Sequence, residues 1–439
     1  MKLYRVKLGP VVGKIESGTV RILLECDNEV NCNLKIKVFS QYFVSEKIVN
    51  CFVGPNMFVV KLLNNDEPHK IEFTNAISNK TTAVCSFTPA ITGTAIISCD
   101  GDGVYHYNTG NKTASWKTAN CSNVSHAIHI GDQVYIDDAY SYGMSKITDT
   151  ISDEQAEVIF ANEIRKIYYD SWYKCEEKRK FLANHSNIMI IDDHDIYDNF
   201  TSSDFQENVY VKPRMKLFMD VASRIAGEYQ IGLSQNTVIE KYDQLRNIEK
   251  VTILENDDIK YVIVNSRLTK SNQWMFDADT KQQILQHIQN IPNKKVVFVD
   301  QVSPFLLSHQ YMQVRALYRI GGIDITDHVT YKNEWINDYN WLFSSLCNSD
   351  AKHVVYVTGD LHVGQHHYLN PHNKHQKKIR CLTSSPMSSN VGLPDNCIIR
   401  WLLSNFSQEF KGFEYESNCV FHNNFVVVDN FGEYIHLIR

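Results

Sequence analysis

Four apolar runs in this chain each end in a short loop rich in carboxylates or histidine. They read SCDGD at Ser98–Asp102, GDQVY at Gly131–Tyr135, DDHD at Asp192–Asp195 and GDLH at Gly359–His362. Neighbouring carboxylates repel one another and are costly to bury without partners. In an open α/β sheet the carboxyl ends of the strands form the site crevice, so loops of this kind would converge there. Carboxylates gathered in that way call for cations, and oxygen and imidazole donors suit Mn, Fe, Zn, Mg or Ca. Asp132 and Tyr135 could reach one metal cluster from a single turn. A GDxxY turn taken alone is ordinary loop chemistry; the order of four such loops carries the metal reading.

The elements that would hold these loops are legible from apolar periodicity. Residues 1–92 give short β-rich runs (TVRILLECD, LKIKVFSQYF, MFVVKLLNN, HKIEFTNAI) broken by Asn, Asp, Gly and Pro, the pattern of a small β-sandwich. From residue 93 strands alternate with helices, which predicts an α/β domain with a central sheet. A helix is expected over TISDEQAEVIFANEIRKIYYDSW, with Ala156, Ile159, Phe160, Ile164, Ile167 and Tyr168 at helical spacing. Ser152 and Gln155 supply its capping box. Further helices are expected in DADTKQQILQHIQ and NEWINDYNWLFSSL, and the chain closes on the β-runs NNFVVVDN and EYIHLIR.

A chain of 439 residues is long enough for two domains, and 43% apolar and 21% charged residues are ordinary for a globular protein. A formal net charge of −6 without a basic stripe gives no footprint for nucleic acid. Eleven cysteines lie scattered without a CxxC pair, which predicts free buried thiols in a reducing compartment. The sequence holds no long apolar run, so no membrane span is expected, and the N-terminal residues do not read as a secretory signal. The expected location is cytoplasmic, or exported without a signal peptide of the usual kind.

The order of the four loops resembles the calcineurin-like metallophosphoesterases, and more closely the alkaline phosphatase D (PhoD-like) family, relatives of the purple acid phosphatases. LGPVVGKIESGTVRILLE, NSRL, VDQVSPFL, NEWINDYNWLF, LTSSP and HNNFVVVDNFG are similar to further segments of that family. The resemblance implies a metallophosphoesterase β-sandwich flanked by helices over 93–439, behind an all-β sandwich over 1–92. It implies hydrolysis of phosphate esters by two-metal activation of water, with Fe(III) in one site and Ca, Zn or Mn in the other. A strict phosphodiesterase or phospholipase-like enzyme is one alternative, and a non-catalytic binding protein of the same fold is another.

Carried over by position, Asp132 bridges the metals, Tyr135, His362 and Cys99 bind the first, and Asp193 and Asp360 bind the second. The first loop offers Cys99, Asp100 and Asp102 as ligands without deciding among them, and Asn199 is a further candidate ligand. His194 is implied as an acid outside the coordination shell, steadied by Asp195. Arg267, Trp335 and Tyr339 would line the substrate pocket. Where calcineurin-like enzymes place a middle histidine ligand, this chain has Asp300 and Gln301. His366, His367, His372 and His375 are expected in a polar loop without a ligand role.

Overall fold

The computed structural model describes residues 6–26, 32–64, 67–100, 112–200, 213–304, 332–360, 364–384, 387–388, 410–420, 422–429 and 432–438. Seven strands come first: β1 (Val6–Glu16), β2 (Thr19–Cys26), β3 (Cys32–Phe39), β4 (Val44–Cys51), β5 (Gly54–Lys61), β6 (His69–Asn75) and β7 (Thr81–Phe87). They form a three-stranded sheet, β1-β2-β5, and a four-stranded sheet, β4-β3-β6-β7, with antiparallel pairing throughout. One apolar cluster joins the two sheets, with Val20, Ile22 and Leu24 of one packed with Leu34, Ile36, Ile71 and Phe73 of the other. The residues contributed alternate along each strand, as the period of two requires.

Two larger sheets follow. In the first, β8 (Gly93–Ile97), β9 (His126–Ile130) and β10 (Ser186–Ile190) run parallel, and β18 (Asn424–Asp429) and β19 (Gly432–Leu437) complete the order β10-β9-β8-β18-β19. The second holds β11 (Val251–Glu255), β12 (Ile259–Val264), β13 (Lys295–Val302), β14 (His353–Gly359), β15 (Gly364–Pro371), β16 (Ile379–Thr383) and β17 (Phe413–Val420). Its order is β11-β12-β13-β14-β16-β15-β17, with β12, β13, β14 and β16 parallel. Ile96, Ile128, Ile130, Ile188 and Ile190 face Ile263, Val297, Val299, Val355 and Val357 across the gap between the sheets. The alternate residues face outward under helices. Ala95, Ile97 and Ala127 pack with Trp116 and Phe181, while Val296, Phe298 and Tyr356 pack with Ile284, Leu342 and Phe343. Burial on both faces is why these strands read as unbroken apolar runs. The architecture is α/β, two sheets face to face and clothed by helices, with the all-β sandwich before them.

The helices that matter to the site are α1 (Lys112–Cys121), α2 (Asp137–Lys146), α3 (Asp153–Tyr168), α4 (Glu176–Asn184) and α5 (Met215–Ala226). The Ser152–Gln155 capping box of α3 is formed, at 3.0 and 3.3 Å. Ala156, Phe160, Ile164 and Ile167 are buried on its inner face. Gly143 lets α2 lie directly on α3, since a Cβ there would meet Phe160 Cδ1 at 2.5 Å. One expectation is corrected: His366 and His367 lie not in a loop but in β15, antiparallel to β16 and β17, because QHHYLNP alternates as a strand does. Among the described residues no helix is long and apolar enough to cross a membrane. Most of the described cysteines are buried.

Candidate metal centre

Parallel pairing of β8, β9 and β10 brings the first three acidic loops side by side at one end of their sheet, and β14 delivers the fourth from the facing sheet. The loops interlock through main-chain atoms. Asp100 N donates to Asp132 O at 2.9 Å, Ile136 N to His194 O at 3.0 Å, and Asp360 N to Ser98 Oγ at 3.1 Å. Gly131 and Gly359 permit this approach. A Cβ on Gly131, whose φ is +103°, would lie 2.3 Å from Asp192 Cβ. A Cβ on Gly359 would lie 2.4 Å from Ser98 Oγ. The next residues are bent as hard: Cys99, Asp132, Asn199 and Asp360 have φ of 56°, 56°, 61° and 69°. A left-handed non-glycine residue costs on the order of 1–3 kcal/mol, and such strain gathers at functional sites.

The bends aim carboxylates at one another. Asp132, Asp193 and His194 offer ligand atoms within 4.8 Å of each other, and so do Asp192, Asp193 and Asp360. Asp132 is buried, and its Oδ1 has no hydrogen-bond partner among the described residues. Its Oδ2 accepts from Tyr135 Oη at 3.0 Å and Cys99 Sγ at 3.6 Å. Burial, and then the charges of Asp193, Asp195 and Asp360, hold the Asp132 carboxyl well above the usual carboxylate range against the pull of His194. Asp192 is raised in the same way, by burial first, against the pull of Arg267. A buried, orphaned carboxylate oxygen among acidic neighbours is what a cation site looks like without its cation. The donor set therefore fits metal ions.

The candidates fall into place unevenly. Cys99 and Tyr135 both touch Asp132. Asp193 accepts the Asn199 amide at 2.9 Å through Oδ2, and its Oδ1 is ion-paired with Arg267 Nη2 at 3.3 Å. Asn199 thus meets the centre through its main chain, and Arg267, fully buried, spans Asp193 and Asp192, with Nε 2.5 Å from Asp192 Oδ1. Asp100 is engaged elsewhere: its carboxylate binds Lys178 and Ser388 and accepts from Trp116 Nε1 at 3.3 Å. Lys178 comes from α4 and lies between the rings of Trp116 and Trp172. His362 and Asp102 fall outside the described residues.

His194 stacks on Tyr135, ring centroids 4.4 Å apart, and its side chain is 25% exposed. Its partner is not Asp195, as the sequence suggested, but Asp137, whose Oδ2 is 2.7 Å from Nδ1. Burial opposes the imidazolium, yet Asp137, Asp193 and Asp132 outweigh it and raise His194 well above its ordinary value. Asp195 turns the other way on its 3₁₀ turn. It accepts the amides of Asp132 and Asp192 at 3.0 Å, that of Val134 at 3.2 Å and Gln230 Nε2 at 2.9 Å. It is the clasp between the second and third loops, pushed up to about 6 by burial.

Trp335 and Tyr339 also differ from expectation. Trp335 donates Nε1 to Ser271 O at 2.7 Å, and Tyr339 donates its hydroxyl to Asp300 Oδ2 at 2.7 Å. Both are enclosed in the core beneath the second sheet. They lie one helical turn apart on Asn333–Cys347, the spacing of a core stripe. Asp300 and Gln301 carry structural bonds too, Asp300 from Tyr339 and Tyr356, Gln301 to Ile191 O and from the Arg267 amide. The sequence does not single out Asp192, which lies in a candidate metal group, or Asp137 as the histidine's partner. Asp192 was signalled only by its place before Asp193, and Asp137 by falling in the first turn of a helix that starts beside the GDxxY loop.

No known family model matches this sequence, and no curated protein matches it. Solved structures do. PhoD is similar at a TM-score of 0.67, covering 98% of this chain and 88% of that one, with 14% sequence identity. A β-glucuronidase from Ruminococcus gnavus reaches 0.27 at 7% identity, covering 81% and 61%. Another, from glycoside hydrolase family 2, reaches 0.19 at 9%, covering 44% and 27%. Scores as low as those two carry no likeness of fold. Over nearly its whole described length, then, this chain has the fold of PhoD.

Proposed function

We propose that this protein hydrolyses phosphate esters at a metal centre built on Asp132. The observation that supports this most is the convergence of Asp132, Asp192, Asp193 and Asp360, with Asp132 Oδ1 orphaned. Asp132 would hold the metal ions, with Tyr135 and Cys99 helping to hold the first and Asp193 and Asp360 the second. Asp100 is better read as the anchor of its loop, given its bonds to Lys178, Trp116 and Ser388. Arg267 is better read as the counter-charge of Asp192 and Asp193 than as a substrate ligand, being fully buried. Bound metals would supply an acidified water as nucleophile and neutralise the phosphoryl oxygens.

The chain's own residues do the rest. Asp137 fixes the imidazole through Nδ1 and favours its protonated form, leaving Nε2 to give a proton to the leaving oxygen. Such proton transfer is typically worth about 10²–10⁴-fold. Stacking on Tyr135 holds the ring in plane. The phenol, raised well above its ordinary value by burial and Asp132, keeps its proton while no metal is bound. A strongly acidic ion is needed to take that oxygen as phenolate, so the first site is assigned to Fe(III) and the second to a divalent ion such as Ca, Zn or Mn. Residues 1–92 are assigned to a separate sandwich domain that contributes no ligand.

The test is to strip the protein with EDTA, reload it with single metals, and compare turnover of p-nitrophenyl phosphate and bis-p-nitrophenyl phosphate. Activity on either that follows metal content supports the reading, and the ratio separates monoesterase from diesterase. Full activity with no metal by elemental analysis refutes it. Metal uptake without turnover of either substrate would mark a binding protein.

A further inference from the structure

Cys26 ends β2 in the three-stranded sheet, and Cys51 ends β4 in the four-stranded sheet. Their sulfurs are 2.9 Å apart, and both residues are 1% exposed. We propose that Cys26 and Cys51 are a covalent modification site: they form a disulfide that staples the two sheets of the N-terminal sandwich together.

Three observations carry this. First, the separation is shorter than unbonded packing allows. Carbon atoms already rest about 3.5–4.0 Å apart, and sulfur is larger. Closing from 2.9 Å to a bond of about 2.04 Å takes a shift of about 0.9 Å, within the play of two strand ends. Second, the distance argues against a shared zinc. Thiolates about 2.3 Å from a tetrahedral ion lie about 3.8 Å from each other. Third, the two sulfurs come from strands of different sheets, β2 and β4, so a bond between them would tie the sheets together. Cys32 stands opposite Cys51 in the β3–β4 register.

The chemistry balances with a small-molecule disulfide as oxidant. One cysteine loses its proton and its thiolate attacks a sulfur of oxidised glutathione, releasing one glutathione and leaving a mixed disulfide. The second thiolate displaces the remaining glutathione. Two protein thiols are oxidised and one oxidised glutathione becomes two reduced molecules. With both residues buried, the exchange takes place as the chain folds or when the sheet ends part.

The experiment uses the full chain. Protein held in reductant and protein treated with oxidised glutathione are each denatured in iodoacetamide, digested and mapped by mass. The expected result is a linked peptide pair containing Cys26 and Cys51, two hydrogens lighter than the sum of its parts, in the oxidised sample alone, with Cys85 alkylated in both. The oxidised protein should also melt at a higher temperature than the reduced one, and Cys51→Ser should erase that difference. Linkage of Cys51 to Cys32 overturns the proposal, as does quantitative alkylation of both Cys26 and Cys51 after oxidation. Stoichiometric zinc released by acid from a Cys26- and Cys51-dependent site overturns it as well. The mapping is done on the native sequence, so the outcome does not depend on any variant folding.

Discussion

Replacing Asp132 by Asn removes one charge and almost no volume, and its effect on stability should change sign with metal. Without metal, the buried carboxylate faces Asp193 within 4.8 Å. Two like charges at that distance repel by about 3.5 kcal/mol at an effective dielectric constant of about 20. His194, in the same group, returns about as much. What remains is the desolvation of the carboxylate itself, several kcal/mol. An Asn keeps the acceptor for Tyr135 and Cys99 and turns its NH₂ toward the acceptors around the orphaned oxygen. Allowing for relaxation, the metal-free variant should be more stable than the metal-free native protein by on the order of 2 kcal/mol, several degrees in Tm. With ion at about a hundred times Kd, the native protein gains about 2.7 kcal/mol and the variant almost nothing, so the order inverts. Scanning calorimetry in EDTA and in excess Mn or Zn reads both limbs, and elemental analysis of the dialysed proteins reads the metal. A metal-free variant that melts below the native protein, or one that keeps its metal, would refute the placement of Asp132 at the heart of a cation site.

Four further outcomes are expected. His194→Ala should keep its metals and lose about 10²–10⁴-fold in rate; loss of metal from this variant would make His194 a ligand. Tyr135→Phe should abolish the broad visible band of iron-loaded protein while leaving the far-ultraviolet circular dichroism unchanged, and a band that survives would remove the phenolate assignment. Gly131→Ala should cost at least about 3 kcal/mol, because backbone strain at φ +103° adds to the clash with Asp192. Gly412→Ala is the control: its φ is +86° with nothing within 4 Å of the new Cβ, so only the backbone share remains, and equal losses at the two sites would contradict the clash. Burial lowers His129 to about 4, so the unfolded chain binds that proton first as the pH drops below about 6.5. Stability held above pH 6.5 should therefore fall toward pH 4, and His129→Gln, which keeps a donor for Asn187, should shed about one proton from that slope, about 1.4 kcal/mol per pH unit. Identical slopes for the two proteins would show that His129 is not what charges.

The four loops are legible in the sequence because each follows an unbroken apolar run, buried on both faces, and because four of them come in order. The two-sheet core was legible for the same reason: Ile96, Ile128, Ile188, Val297 and Val355 lie in runs too apolar to face water. What could not be read was the direction of side chains on irregular backbone. Asp192, Asp193, His194 and Asp195 are consecutive, yet the turn sends them to Arg267, to Asn199, to Asp137 and to the amides of another strand's loop. The resemblance pairs Asp195 with His194, but adjacent residues on a 3₁₀ turn point apart. Trp335 and Tyr339 were placed in a pocket although their spacing of four is a core spacing; the helix buries them. Cys26 and Cys51 meet because two sheets stack, and no local pattern announces which strand ends will touch.

The way the sandwich meets the strand that bears the DDHD loop has a consequence for how such chains drift. Asn187 Nδ2 on β10 donates to Val12 O at 2.8 Å, and Ser186 Oγ to Gly13 O at 3.1 Å. Both acceptors are main-chain carbonyls, which every amino acid carries. Val12 and its neighbours on β1 can be exchanged for other apolar residues without altering what β10 binds, provided the strand keeps its course. At Gly13 even that freedom ends, since a Cβ would strike Leu233 O at 2.4 Å. Selection at this seam acts on the path of the backbone and hardly on its letters. Two lineages can therefore part in sequence until alignment fails while the seam stays superimposable, and the glycine is the letter by which a reader of sequences could still find it.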